Sequence, residues 1–152
     1  KTIMKYIICD AAPANWGKST TLLEVIKLFR MNPTNFVVLD ERNVGFDYWI
    51  VFQNIVNLKV YLIQTQGDYA KSFDETKKYL ASGKKVDVII CAARSKGKSL
   101  KEVQTIETLY NYKQIQFSNF CPLDRSLFSN PFISDVNKVH LAQLIFNFAL
   151  AL

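Results

Sequence analysis

The run from Cys9 to Leu23 reads Cys-Asp-Ala-Ala-Pro-Ala-Asn-Trp-Gly-Lys-Ser-Thr-Thr-Leu-Leu, and it constrains the chain more than any other stretch. The apolar segment in front of it, Met4 to Cys9, has the composition of a buried strand. Behind it, Leu22, Val25, Ile26 and Phe29 recur at helical spacing between Lys18 and Met31. A buried strand, a short loop ending Gly-Lys-Ser and then an amphipathic helix aims loop amides and a helix N-terminus at one anion.

The spacing inside the loop sharpens this. Ala12 is separated by four residues from Gly17-Lys18-Ser19, at a position where a small side chain lets the loop fold back. Gly17 permits a positive φ and close backbone approach to phosphate. The amides of Ala14, Asn15, Trp16 and Gly17 would form a concave nest for a triphosphate. Lys18 would reach the β- and γ-phosphates as a point charge. Ser19 supplies a hydroxyl for Mg²⁺, which prefers oxygen. Thr20 and Thr21 fall in the first helical turn, within reach of an α-phosphate, and Trp16 is placed to cover a nucleotide or pack on a partner. The plainer alternative is a Gly-Lys-Ser that only opens a helix.

At 152 residues the chain reads as a single domain, 1–152, with 49% hydrophobic and 21% charged residues. That balance excludes a disordered chain, and no apolar run is long enough to span a bilayer. Cys9, Cys91 and Cys121 are odd in number and far apart, which favours reduced core thiols and a cytoplasmic location over disulfides. His140, the single histidine, reads as a packed helical residue. The net charge of +6 gathers at Lys77, Lys78, Lys84, Lys85 and again at Arg94, Lys96, Lys98, Lys101. Anionic partners fit it: nucleotide first, DNA or an acidic protein second, with a solvated basic face as the plain alternative.

Apolar β-branched runs alternate with helical ones. Strands are predicted at Met4 to Cys9, Asn35 to Leu39, Leu58 to Ile63, Val86 to Cys91 and Gln114 to Phe120. Helices are predicted at Lys18 to Met31, Tyr69 to Ser82, Ser99 to Tyr112 and Ser134 to Leu152, with Asp68 as an N-cap and Gly83 as a stop. Arg42 to Asn57 fits a short helix or an extra strand, and Phe120 to Pro131 a loop. The rhythm predicts an α/β fold: a three-layer α/β/α sandwich around a mostly parallel sheet of five or six strands.

In such sheets ligands sit beyond the carboxyl ends of the strands. Those ends carry the Gly17-Lys18-Ser19 loop, Asp40-Glu41, Thr65-Gln66-Gly67-Asp68, Arg94 to Ser99, and Asn119. With these residues in view the chain resembles the P-loop NTPases, and among them the partition-type ATPases and dethiobiotin synthetase relatives. The resemblance covers most of the chain as an order of elements but rests on few motifs. It implies that Asp40 positions water or Mg²⁺, that Thr65 to Asp68 sense the γ-phosphate, and that Asn119 reads adenine. It departs where the group carries an additional loop lysine, since Ala11 to Ala14 stand there. It departs again where the third strand ends in Thr65, with Asp68 three residues later.

The sequence therefore leads to an Mg²⁺-dependent, ATP-binding P-loop NTPase, with Lys18 and Asp40 as catalytic residues and Ser19 and Asp40 as metal ligands. Glu41 and Asp68 compete with Asp40 for the carboxylate role. ATP is favoured over GTP because no Asn-Lys-x-Asp guanine reader is present. Coupling to a partner or DNA follows from the charge, and a dimer is one option for the assembly. Two alternatives stand beside it. One is a small-molecule kinase or ATP-dependent ligase in which Arg94 to Ser99 grip the acceptor. The other is a non-hydrolysing nucleotide switch.

Overall fold

The computed structural model describes residues 4–11, 17–44, 47–118 and 131–152. Among the described residues ten elements of regular structure follow one another, with one 3-10 turn between two of them. They are β1 (Lys5–Ala11), α1 (Lys18–Arg30), β2 (Phe36–Val44), β3 (Asp47–Asn54), β4 (Val60–Gln64), α2 (Asp74–Ala81), β5 (Val88–Ala93), α3 (Lys98–Tyr110), β6 (Tyr112–Phe117) and α4 (Pro131–Ala151). The 3-10 turn, Ala70–Phe73, leads into α2.

The six strands form one sheet in the order β2-β3-β4-β5-β1-β6. β4, β5, β1 and β6 pair in parallel, and β3 pairs antiparallel with both β4 and β2. The ambiguous stretch after Arg42 thus resolves as strand. β2 runs on to Val44 and β3 follows as the return arm of a hairpin. This corrects the expectation of a parallel second strand buried on both faces. β2 is an edge strand, and Val37, Val38 and Leu39 are exposed. An apolar run measures how much a strand could bury, not which neighbours it finds.

Alternation along the central strands sorts side chains onto two faces. Ile8, Ile50, Phe52, Tyr61, Ile63 and Ile90 pack beneath α1 and α4. Ile7, Trp49, Val51, Leu62, Ile89 and Cys91 pack against α2 and α3. The helices therefore cover both faces, as the α/β/α expectation required. Phe29 of α1 anchors the first face. Its ring stacks on Phe52 at 5.0 Å and meets Phe36 and Phe146 edge-on at 4.8 and 4.9 Å.

Local chemistry sets the boundaries. α3 ends at Asn111 in the left-handed region (φ 59°), which turns the chain straight into β6, two residues before its expected start. α4 begins at Pro131 rather than near Ser134, consistent with proline's preference for the first helical position. α2 stops before Gly83 as predicted, but Asp68 is not its cap. Tyr69 caps the 3-10 turn instead, and Asp68 faces elsewhere. His140 is exposed on α4 rather than packed. Among the described residues, no helix is long and apolar enough to cross a membrane.

Candidate functional site

The carboxyl ends of β1, β4 and β5 lie side by side, and α1 starts above them. Gly17 caps α1 with φ +82°, a backbone conformation that side chains with a Cβ rarely adopt. Among the described residues no side chain makes a capping hydrogen bond there, and the first turn holds no acidic residue. The amide end of the helix carries partial positive charge, and the chain adds Lys18 to it. That is the reverse of what helix stability favours, and it suits an anion.

Lys18 is buried, so its ammonium needs counter-charge within the protein. Asp68 supplies it at 3.4 Å, and the same Asp68 oxygen lies 3.7 Å from Nε of Arg94. Arg94 also stands over the Tyr69 ring. One carboxylate thus sits between two cations. Gly67 lets Asp68 get there: a Cβ on Gly67 would overlap the Ala92 carbonyl oxygen at the end of β5.

Asp10 is the second carboxyl. It is fully buried on β1, two residues past Ile8 and so on the α1 side of the sheet. Burial raises its pKa from 3.8 to about 7, and the charge of Lys18 partly opposes the rise. Composition and spacing gave no sign of Asp10, because an aspartate at a strand end reads as part of the following loop.

Ser19 donates its hydroxyl proton to the Thr65 carbonyl at 3.0 Å, which leaves its oxygen lone pairs free to face a hard cation. Thr65 is itself held. Its hydroxyl donates to Asp47 at 3.1 Å and accepts from the Tyr48 amide at 2.8 Å. Thr21 donates to the Gly17 carbonyl at 2.9 Å and locks the first turn. Mg²⁺ commonly takes one or two protein ligands beside phosphate oxygens and water. The Ser19 hydroxyl with the nearby carboxyls fits that pattern. Among the described residues, no cluster of three or more His, Cys, Asp or Glu side chains forms an all-protein metal cage.

A further cation comes from α4. The Lys138 stem lies across Gly17, its Cε 2.9 Å from where a Gly17 Cβ would stand. A lysine more than a hundred residues away in sequence carries no local signal of this position.

The predicted residues divide accordingly. Gly17, Lys18, Ser19 and Thr20 gather at the start of α1, joined by Thr65, Asp68 and Arg94. Ala14, Asn15, Trp16 and Asn119 lie outside the described residues, as does Cys121. Asp40 is not brought to this site. It sits within β2, with β3, β4 and β5 between it and β1, roughly 19 Å across the sheet. Its partner there is Arg42, at 3.4 Å. Glu41 is likewise committed, to Arg30 at 2.6 Å and to the Tyr48 hydroxyl. Those hydrogen bonds, the tyrosine's first, hold its carboxyl below the usual range. The hairpin is the reason: β3 inserts between β2 and β4, so β2 lies at the edge and its acidic residues stand away from the centre.

Of the two basic groups, the first is a solvated face tied by ion pairs, Lys77 with Glu102 at 2.9 Å and Lys85 with Asp87 at 3.4 Å. The second, from Arg94 to Lys101, borders the site. Cys9 and Cys91 face each other across β1 and β5, both buried. Their mutual contact and burial push the Cys91 thiol well up, as expected of inert core thiols. Comparison with protein families, with curated proteins and with solved structures finds no match to this chain.

Proposed function

We propose that the chain is an Mg²⁺-dependent, ATP-binding P-loop NTPase that hydrolyses ATP to drive or switch an interaction with a partner or DNA. The observation that carries this reading is the buried Lys18 at a helix N-terminus that has no side-chain cap among the described residues, directly after a glycine at φ +82°. In this reading the Gly17 region and Lys18 hold the β- and γ-phosphates, and Lys138 adds charge from α4. Ser19 offers its hydroxyl oxygen to Mg²⁺. Arg94 and Lys18 neutralise charge developing on the transferred phosphoryl group. The carboxyl that orients water is Asp68 or Asp10 rather than Asp40, because those two lie beside Lys18.

Titration calorimetry with ATP and GTP, with and without Mg²⁺, tests the reading. Magnesium-assisted ATP binding that Lys18→Ala weakens by about a hundredfold or more supports it, a loss in keeping with a buried charge-assisted contact. Equal behaviour of the wild type and Lys18→Ala refutes it. The engagement of Asp68 by two cations favours a second reading, a nucleotide switch without turnover. Phosphate release measured with and without DNA separates the two.

A further inference from the structure

The two edges of the sheet differ. β6 shows Lys113 and Gln116 to solvent, and a lysine on an edge strand discourages another strand from adding. β2 instead shows Val37, Val38 and Leu39, which are 42, 42 and 47% exposed. Ile55 and Val56 extend the apolar patch just past the end of β3. A continuous exposed apolar run on an open edge marks an interaction surface.

The hydrogen-bond phase shows what that edge can accept. The Ile55 amide donates to the Asn35 carbonyl at 2.9 Å, and the next residues along pair as Phe36 with Asn54, Val37 with Gln53 and Val38 with Phe52. Bonded and non-bonded pairs alternate in an antiparallel ladder. Asn35–Ile55 is bonded, so Phe36–Asn54 is not, Val37–Gln53 is, and Val38–Phe52 is not. The N–H and C=O of Phe36 and Val38 therefore point away from β3; the Phe36 amide is taken by the Asn32 carbonyl at 3.1 Å, and Val38 presents both its groups over the open edge.

We propose that β2 is a homodimer interface: two copies pair antiparallel about a two-fold axis at Val38, joining their sheets. At that register each Val38 amide donates to the Val38 carbonyl of the second copy. Val37 faces the second copy's Leu39, and Leu39 faces its Val37, so the exposed apolar residues cover one another. Other centres fit worse: an axis at Val37 sets Val38 against the second copy's Phe36, whose amide is already taken by Asn32. An axis at Leu39 sets Val38 against the second copy's Asp40 and Val37 against its Glu41. An axis at Asp40 opposes two carboxylates.

Charge and closure point to a second copy rather than a nucleic acid. Each chain carries +6, yet the edge is balanced internally, because Glu41 pairs with Arg30, Arg42 pairs with Asp40 and Glu75, and Lys78 stands 3.9 Å from Glu75. It brings neither an excess of cations for phosphates nor a like-charge clash for its own image. A bulge between Val38 and Asp40 bends β2 beyond Leu39 and keeps the new ladder short. The two-fold uses both β2 edges and, among the described strands, leaves only the β6 edges with their lysines outward, so assembly stops at two.

Sedimentation velocity of the full chain without nucleotide, from micromolar to sub-millimolar concentration, tests the inference. The wild type should form dimers. Val38→Pro removes an amide that points away from β3, so it spares the hairpin. It should weaken association by about tenfold or more while leaving circular dichroism unchanged. Val38→Cys should give a disulfide-linked dimer on oxidation that the wild type does not, since bonded partners lie about 5.5 Å apart at Cα. A wild type that stays monomeric throughout, or that dimerises only with ATP, overturns the proposal. So does a folded Val38→Pro that remains dimeric. Should the proline variant fail to fold, Leu39→Lys must be monomeric for the proposal to stand.

Discussion

Replacing Asp10 by asparagine should stabilise the protein in mild alkali and change little in acid. Asp10 is fully buried, and its carboxyl titrates near 7 in the native state against 3.8 for the ordinary side chain. The native state holds a proton that the unfolded chain releases. The associated stability is therefore complete below the unfolded value and drains away as pH rises through the native one. Three pKa units at about 1.36 kcal/mol each give an upper range of about 4 kcal/mol. Most of the change, about 2.5 kcal/mol, falls between about pH 5 and pH 8. Asparagine keeps the shape and cannot ionise, so the Asp10→Asn curve lacks this slope. Urea melts of both proteins across that window measure it, read as midpoint shifts at constant m. Curves that run parallel from pH 5 to pH 8, or a wild type that gains on the variant as pH rises, would show that Asp10 stays ionised in the fold.

Three other outcomes follow from placement. Asp40→Asn should leave nucleotide affinity and turnover within about twofold of wild type, since its carboxylate sits on the far hairpin; surface changes of that kind cost about 0.5 kcal/mol at most. Gly67→Ala should cost about 3 kcal/mol by forcing a methyl group onto the Ala92 carbonyl, an overpacking effect. Calorimetry should show the melting point falling by roughly 6–12 °C for a domain of this size. Lys138→Ala should weaken ATP binding by about tenfold, with Lys138→Arg recovering part of it, while the apo protein melts as before. An unchanged affinity in a protein that does bind ATP would remove Lys138 from the site without touching the assignment of Lys18.

Much of the fold was legible because hydrophobic periodicity reports burial directly. The runs ending at Cys9, Ile63 and Cys91 became β1, β4 and β5, and the spacing of Leu22, Val25, Ile26 and Phe29 became the buried face of α1. The site was legible only in its local part. Gly17, Lys18 and Ser19 are consecutive, so their chemistry and geometry travel together along the chain. Asp10 was passed over because a strand-end aspartate looks like loop. Asp68 fits a helix cap, the commonest use of an aspartate before a helix, as well as the phosphate-sensing turn that the resemblance implies, and local pattern does not choose between them.

Asp40 shows the limit most clearly. Its surroundings, an apolar run followed by two acids, match a central parallel strand, and the same run serves equally as one arm of an edge hairpin. Choosing between them needs knowledge of what lies beside the strand, which is a long-range property. The sequence by itself determined the order of strands and helices outside 42–57 and the glycine–lysine–serine turn, because these depend on residues within a few positions of one another. The tertiary structure alone decided which carboxylates meet Lys18, that Lys138 crosses Gly17, and that β2 lies open at the edge. Those facts depend on pairings between segments tens to more than a hundred residues apart, fixed by packing of the whole core rather than by any local pattern.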